Sequence, residues 1–459
     1  MIVLASSGQV DRFLAAGAPR LREAALEILA RALAEGHAGA AVRRALDRDG
    51  DMLRVCGAER VNLGALRQVV PIAAGKAAPA MMEAALEQIG DRVVAGTLST
   101  KHGHGRRVPG VEVWEAGHPL PDACGLAGTA GALAAARRAG VDDLVLVLLS
   151  GGASALWPAP PAGVTLGDLQ EVTRSLLQGG APIEEVNAVR KHLSRIAGGQ
   201  LARAAAPARV LTLAVSDVVG DALDTIGSGP TTPDPTIFAD ALAVIRDREV
   251  RIPRAAFEHL AAGASGRRCE TPKPGDAVFE RASAHVVLRN RDVLAAAAKA
   301  AEAAGFAAHV IEDGVRGEAR ALGRRVASRA LRARGARRPV ALLWGGETTV
   351  TVRGDGSGGR AGEAAIAAAS GLDGEPGIVV AVLGTDGSDG PTDAAGGMVD
   401  GGTLLRGWAA GLDPVDHLAR NDSHSYLRAT GDLLVTGPTD THVNDVILAL
   451  VDGRPFPSE

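Results

Sequence analysis

Apolar residues along this chain fall into two rhythms. Between residues 9 and 49 they recur at helical spacing, at Leu14, Leu21, Ala25, Ile28, Leu29 and Leu33, which predicts a long helical entry. Further on they gather into unbroken runs: VVPIAAGK, DDLVLVLLSGG, RVLTLAVSD, RPVALLWGGE and GIVVAVLGTDG. Each run ends at glycine, serine or aspartate. Continuous rather than alternating runs predict strands covered on both faces. The helical patterns between them predict a parallel, doubly wound α/β sheet. In such sheets ligands sit beyond the carboxyl ends of the strands, where these polar turns fall.

Pro230, Pro233 and Pro235 interrupt regular structure, and a domain boundary is expected near residue 235. That divides the chain into domains 1–235 and 236–459. The second opens on AHVVLRNRDVLAAAAKAAEAAGFAAHVIED, another strand–helix–strand pattern, followed by a basic helix from Gly317 to Arg334. The arginine spacing of that helix reads as a solvated face.

Composition narrows the function classes. Of 459 residues, 46% are hydrophobic but only 2% aromatic, so small aliphatic side chains must fill the core and base-stacking platforms are scarce. The net charge of −4 leaves no global basic footprint, and no nucleic-acid partner is expected. Cys56, Cys124 and Cys269 are widely spaced, so neither a disulfide framework nor a zinc site is indicated. The first residues lack the basic flank of a signal peptide, and the apolar runs are too short to span a bilayer. A cytoplasmic protein without membrane contact is the expectation, as a monomer or a homodimer.

Several turns carry candidate chemistry. Lys76 follows Gly75 at a strand-to-helix turn, where a helix N-terminus meets an anion. It is no Walker loop, because Val70 and Ala77 replace the required Gly and Ser/Thr. Ser150, Gly151, Gly152 and Ser154 can offer backbone N–H groups and hydroxyls to a phosphate, or form an ordinary capped turn. Asp217 ends a buried strand, as a proton acceptor or as a helix cap. Asp386, Asp389 and Asp393 lie in a Gly-rich loop suited to a magnesium ion that keeps its waters, or to simple Asx-turns. Arg190, Lys191 and His192 read as a helix face. His118, before a Pro-bounded loop, reads more readily as structural than as a site residue. Arg360 follows Gly359 and can grip a carboxylate or phosphate with two donors. Gly354, Gly356 and Gly359 spell G-x-G-x-x-G, the pattern of a dinucleotide-binding turn.

Nine segments in order, GKAAPAM, TKHGHG, EAGHPLPD, LLSGGASAL, VRKHLSRIAGGQLA, VSDVVGD with IGSGPTTPD, GGETTVTVRGDGSGGR, GTDGSDGPTDAAGG and TGPTDTHVND, resemble the class II glycerate kinases. The C-terminal part of that family is called the MOFRL domain, and members are often labelled hydroxypyruvate reductases. The resemblance covers nearly the whole chain. It implies an N-terminal Rossmann-like α/β/α sandwich, a smaller mixed α/β C-terminal domain with its MOFRL segment at about 340–450, and an active site in the cleft between them. It implies transfer of phosphate from ATP, with Mg²⁺, to the 2-hydroxyl of D-glycerate or a related small acid. Lys76, Asp217 and Arg360 stand at its catalytic positions. In this reading Gly75 and Ser150–Ser154 hold nucleotide phosphates, Arg360, Lys191 and Asn444 hold the acid, and Asp386 and Asp389 hold the metal. The chain departs from the family pattern at Ala361 and Gly362, where an Asn and a Gln are usual, and at His442, where an Asn is usual.

Two rival readings remain. One is an NAD(P)H-dependent hydroxypyruvate reductase built on the G-x-G-x-x-G, with Asp373 or Glu375 for the ribose. The other is a non-catalytic sugar-acid-binding homologue.

Overall fold

The computed structural model describes residues 18–453. The chain forms two compact units. One spans Ala38–Leu288, and the other joins the helix before it to the chain from Arg289 onward. In the first unit three short strands, β1 (Leu46–Asp49), β2 (Met52–Val55) and β3 (Glu59–Asn62), make an antiparallel meander. Six more strands follow: β4 (Gln68–Ala74), β5 (Gly96–Lys101), β6 (Val111–Ala116), β7 (Asp143–Leu149), β8 (Arg209–Val215) and β9 (Ala282–Leu288). They pair in the order β6-β5-β4-β7-β8-β9, every pair parallel. Val70, Ile72 and Ala74 of β4 pack on Leu133 and Ala136 of helix Ala123–Arg138. Strand residues alternate sides, so Val69 and Ala73, also buried, face the opposite layer. The unbroken apolar runs thus have the expected cause: both faces of the sheet are covered.

The second unit contributes β10 (Ala307–Val315), β11 (Val340–Gly346), β12 (Ile378–Gly384), β13 (Gly396–Asp400), β14 (Leu433–Leu434) and β15 (Asp445–Val451). Their order is β10-β11-β15-β12-β13-β14. Only β10 and β11 run parallel; β15 lies antiparallel between β11 and β12. The VALLW and IVVAV runs therefore belong to a mixed sheet and do not extend the parallel one. Apolar runs report coverage of both faces, not strand direction.

The boundary expected near residue 235 falls instead between Leu288 and Arg289. The prolines do interrupt the chain, but helices Phe238–Asp247 and Arg254–Ala264 then pack with Val172, Leu176, Val186 and Val189 of earlier helices. Strand β9 then completes the first sheet beside β8.

The predicted helical entry is two helices, Pro19–Glu35 and Ala38–Ala45, after which the chain turns into β1. Leu14 lies outside the described residues. Helix Pro19–Glu35 belongs to the second unit, where Arg22, fully buried, donates to Asp400 at 2.9 and 2.5 Å and to Asp432 at 2.6 Å. Arg406 joins the same two carboxylates.

The entry to β7 is held by an ion pair. Asp143 is buried and accepts from Arg67 Nε at 2.9 Å, from a second Arg67 nitrogen, and from the Gly140 amide at 2.7 Å. Arg67 holds the Asp143 carboxyl down at about 2 against the cost of burial. A folded pKa below the unfolded value makes this contribution full above about pH 4 and lost as pH falls through 2. We expect Asp143→Asn to cost roughly 1–2 kcal/mol at pH 7, with the deficit closing between pH 4 and pH 2 in denaturant titrations.

Candidate active site

The parallel register sets Ala74 of β4, Leu149 of β7 and Ala214 of β8 side by side. The turns that follow, Gly75-Lys76, Ser150-Gly151 and, after Val215, Ser216-Asp217, therefore share one carboxyl edge. Two of these turns interlock. The Ser150 amide donates to the Ala74 carbonyl, Lys76 N–H to the Gly151 carbonyl at 3.0 Å, and Ala77 N–H to Ser150 Oγ at 3.1 Å. Gly75 adopts φ +133°, and a Cβ there would lie 2.0 Å from Ser150 Oγ, so only glycine fits. Gly152, at φ +90°, turns the chain into the short helix Ala153–Leu156. Among the described residues no acceptor takes the amides of Gly151, Gly152 and Ser154. The Lys76 stem and the His118 ring both flank Gly152, 3.6 and 3.0 Å from where its Cβ would stand. Lysine, histidine and unbonded amides around one glycine form a receptor for an oxyanion.

Asp217 is half-buried directly after β8. Behind the 150–154 turn, Ser154 Oγ meets Ser228 Oγ at 2.8 Å, and Ser228 reaches Asn187 Oδ1 at 3.4 Å. Arg190 lines the same small pocket as Ser154, Ser228 and Trp157. It has no acidic partner among the described residues, and burial lowers its pKa. Lys191, by contrast, is buried with Asp224 at 3.1 Å and Asp234 at 3.4 Å. The expected substrate contact of Lys191 is thus an internal ion pair, and its neighbour Arg190 is the cation without a counter-charge. One residue along a helix rotates a side chain by about 100°, so the sequence alone does not say which of the two faces a pocket.

In the second unit the antiparallel β15 brings its first residue to the ends of two other strands: Asp445 pairs with Gly346 of β11 and with Gly384 of β12. Arg360 opens helix Arg360–Gly371 and forks onto Asp445 at 2.6 and 2.9 Å, with Glu347 at 2.9 Å from its third nitrogen. Burial alone would lower the Arg360 pKa; Asp445, then Glu347 and Asp389, outweigh it and the net shift is upward. The two-donor grip expected for a substrate carboxylate is therefore closed on a protein carboxylate. Asp389, also buried, accepts the Ala361 and Gly362 amides at 2.9 and 2.8 Å and caps the same helix. Burial raises its pKa to about 6. Asp386 accepts the Ser388 amide at 2.9 Å. Asn444, at φ +66°, is buried with its Oδ1 unpaired. Asn290 steadies this strand start, donating to the Val443 and Asp445 carbonyls at 2.6 and 3.0 Å. Among the described residues no group of three or more His, Cys, Asp or Glu side chains is disposed to hold a metal ion.

The G-x-G-x-x-G stretch is not a tight βα turn. Strand β11 ends at Gly346 and the helix begins at Arg360. The intervening chain docks onto residues 420–424: Arg353 and Gly354 amides donate to Asn421 Oδ1, Gly356 N–H to the Arg420 carbonyl, and Ser357 N–H to Asp422 Oδ1. A Cβ on Gly354 or Gly356 would lie 2.5 Å from that segment. These glycines permit close chain packing. Glu375, a ribose candidate, pairs with Arg334.

Comparison with known proteins decides the family. Residues 24–261 match the family described as a domain of unknown function, DUF4147, and residues 340–445 match the MOFRL family. The D-glycerate 2-kinase of Thermotoga maritima is 41% identical over 84% of this chain and 91% of its own length. The chain belongs to the glycerate 2-kinase family. The glycerate 2-kinase of Pyrococcus horikoshii is 38% identical over 95% of this chain and 98% of its own. The crystal structure of a glycerate kinase from Thermotoga maritima superposes with a TM-score of 0.80 at 38% identity, covering 94% of this chain and 99% of that one. A relative from Agrobacterium vitis, 42% identical over 83% of this chain and 87% of its own, is named a putative hydroxypyruvate reductase.

Of the residues expected from sequence, Gly75, Lys76, Ser150, Gly151, Gly152, Ser154 and Asp217 gather at the edge of the parallel sheet. Arg360, Asp386, Asp389 and Asn444 gather at one end of the mixed sheet. Glu347, Asp445 and Asn290 were not singled out. Asp445 stands inside the TGPTDTHVND segment, but its role follows from the direction of β15.

Gly362 also has a packing reason. A Cβ on Gly362 would meet Ser423 Oγ at 2.6 Å and Asp389 Oδ2 at 3.1 Å, and Ser423 Oγ is itself buried without a partner. Gly362→Ala should therefore destabilise by about 1–3 kcal/mol despite its better helix propensity. Adding Ser423→Ala should recover most of that loss in a double-mutant cycle read by chemical unfolding.

Proposed function

We propose that this chain is a glycerate 2-kinase: it transfers the γ-phosphoryl group of ATP to the 2-hydroxyl of D-glycerate, giving 2-phosphoglycerate and ADP. The observation that carries the reading is the turn at Ser150–Ser154, with three unbonded amides and Lys76 beside it, in a chain whose relatives are glycerate kinases. The turn receives nucleotide phosphates through its amides. Lys76 neutralises the transferring group, where positioning and charge matter more than covalent chemistry. The 2-hydroxyl oxygen bonds to phosphorus as the bond to the ADP oxygen breaks, and the hydroxyl proton passes to Asp217.

The acid's carboxylate goes to Arg190. Its guanidinium is partly desolvated and lacks a carboxylate of its own, a state that favours an anionic ligand. Arg360, already forked onto Asp445, instead fixes the start of β15 and the carboxylate side of the second unit. The oxygen donors there, Asp386 and the unpaired Asn444 Oδ1, with Asp389 at the adjoining helix start, suit a hard cation that keeps several waters. Asp386 and Asn444 would hold Mg²⁺ there, and it would supply positive charge to phosphate oxygens that it binds. Three exposed cysteines, none in a disulfide, accord with a cytoplasmic setting, and among the described residues no helix is long and apolar enough to cross a membrane. The reductase reading loses its structural basis with the docked glycine stretch.

Purified protein given D-glycerate, ATP and Mg²⁺ should yield 2-phosphoglycerate in an enolase-coupled assay. It should leave NAD(P)H untouched with hydroxypyruvate, and the reverse pattern overturns the assignment. Lys76→Ala should lower kcat by about a thousandfold with little change in melting temperature. Arg190→Ala should raise KM for D-glycerate about tenfold or more while leaving KM for ATP in place. Equal effects on both constants would remove Arg190 from the carboxylate contact.

A further inference from the structure

The first unit holds a second cavity, of about 680 Å³, on the other side of the 190–195 segment. Its lining includes Arg137, Lys191, Arg195, Arg203, Arg267 and Arg268, and no aspartate or glutamate. The whole chain carries a net charge of −4, so this is a local excess. Lys191 is compensated by Asp224 and Asp234. Among the described residues none of the five arginines has a carboxylate partner. Arg203 donates to the Glu270 carbonyl at 3.1 Å, Arg195 to the Pro160 carbonyl at 2.9 Å, and Arg267 to Ser265 Oγ at 2.9 Å. Each leaves other guanidinium N–H groups without an anion.

The wall carrying Arg267 and Arg268 is held in place. The Phe238 amide donates to Glu270 Oε1 at 3.0 Å, and Thr271 Oγ1 donates to Asp234 Oδ2 at 2.9 Å. His259 also lines the cavity. It is 8% exposed and its Nδ1 has no partner. Burial and then the field of Arg268 hold its pKa down at about 4. Gathering five uncompensated guanidinium groups costs self-repulsion that a bound polyanion relieves.

We propose that this basin is a second ligand site, for a small anion carrying two linked phosphate groups. Arginine forks match phosphate oxygens two at a time, and five forks exceed what one phosphate can use. The aromatic rings of the lining, Phe238, His192 and His259, are all buried and packed on one another, so the site reads charge and not a stacked base. The basin lies apart from the phosphate turn. Arg137 closes the helix that begins after β6, so it stands toward the amino ends of the strands, opposite Lys76. It is connected to the acid pocket, however. Lys191, His192 and Arg195 line the basin, Arg190 and Leu193 line the pocket of Ser154, and Ser194 lines both.

The test is calorimetric titration of the full chain with inorganic pyrophosphate at low ionic strength, with inorganic phosphate and citrate in parallel. The Arg267→Ala/Arg268→Ala double variant should bind pyrophosphate about tenfold or more weakly. Its melting temperature and its turnover without pyrophosphate should be unchanged. Arg329→Ala, which removes an exposed charge from the other unit, should bind as the unaltered chain does. Undiminished pyrophosphate affinity in the double variant overturns the site, as does an equal loss in Arg329→Ala or no binding at all. Citrate binding as tightly as pyrophosphate overturns the choice of ligand.

Discussion

The candidate site depends on a contact that leaves no room for a side chain. At Gly75 the turn after β4 lies against the turn after β7 so closely that a Cβ would fall 2.0 Å from Ser150 Oγ. Four hydrogen bonds join the two turns or tie them to β5: Ser150 to Ala74, Lys76 to Gly151, Ala77 to Ser150 Oγ, and Gly75 to Ser99. The hydrogen-bonding capacity of the β4 turn is spent on its neighbours. What remains unspent are the amides of Gly151, Gly152 and Ser154. The anion binding proposed at this edge is thus a by-product of how the strands are welded together, and Lys76 is carried to it by the same weld.

The second unit reaches a comparable result by a different route. A strand that enters antiparallel between two others has its beginning where they end. Asp445 therefore meets Arg360, although the two are 85 residues apart in sequence. The buried carboxylates, Asp389 on a helix start and Asp445 on a guanidinium, are each matched by a donor set. That matching is the condition on which charge survives out of water.

Much of this was legible in the chain. The runs at β4, β7, β8, β11 and β12 announced buried strands, and their Gly, Ser and Asp ends announced the turns that hold the candidate residues. The prolines near 235 marked a real interruption. Their meaning was misjudged, because β9 returns to the parallel sheet and pairing across distant segments has no local signature. The same limit explains the arginines. Arg190 and Lys191 are adjacent, and only the positions of Asp224 and Asp234 decide which is neutralised. At Arg360 the expected two-donor grip is closed on Asp445, which is recruited by strand direction. The G-x-G-x-x-G pattern misled for a physical reason: close packing against another chain segment and close approach to a pyrophosphate make the same demand, the absence of a Cβ.

The burial of Arg22 between Asp400 and Asp432 has a consequence for how the molecule comes into being. The helix that carries it is made before residues 38–288, and its partners only after them. Residues 38–288 possess a complete sheet of their own and can fold as they are synthesised, whereas the helix before them must wait with an arginine that has no counter-ion. The mixed sheet cannot close until β15, made after its other five strands, slips between β11 and β12. One unit can therefore be assembled as soon as residue 288 is made, and the other only after β15 has been made.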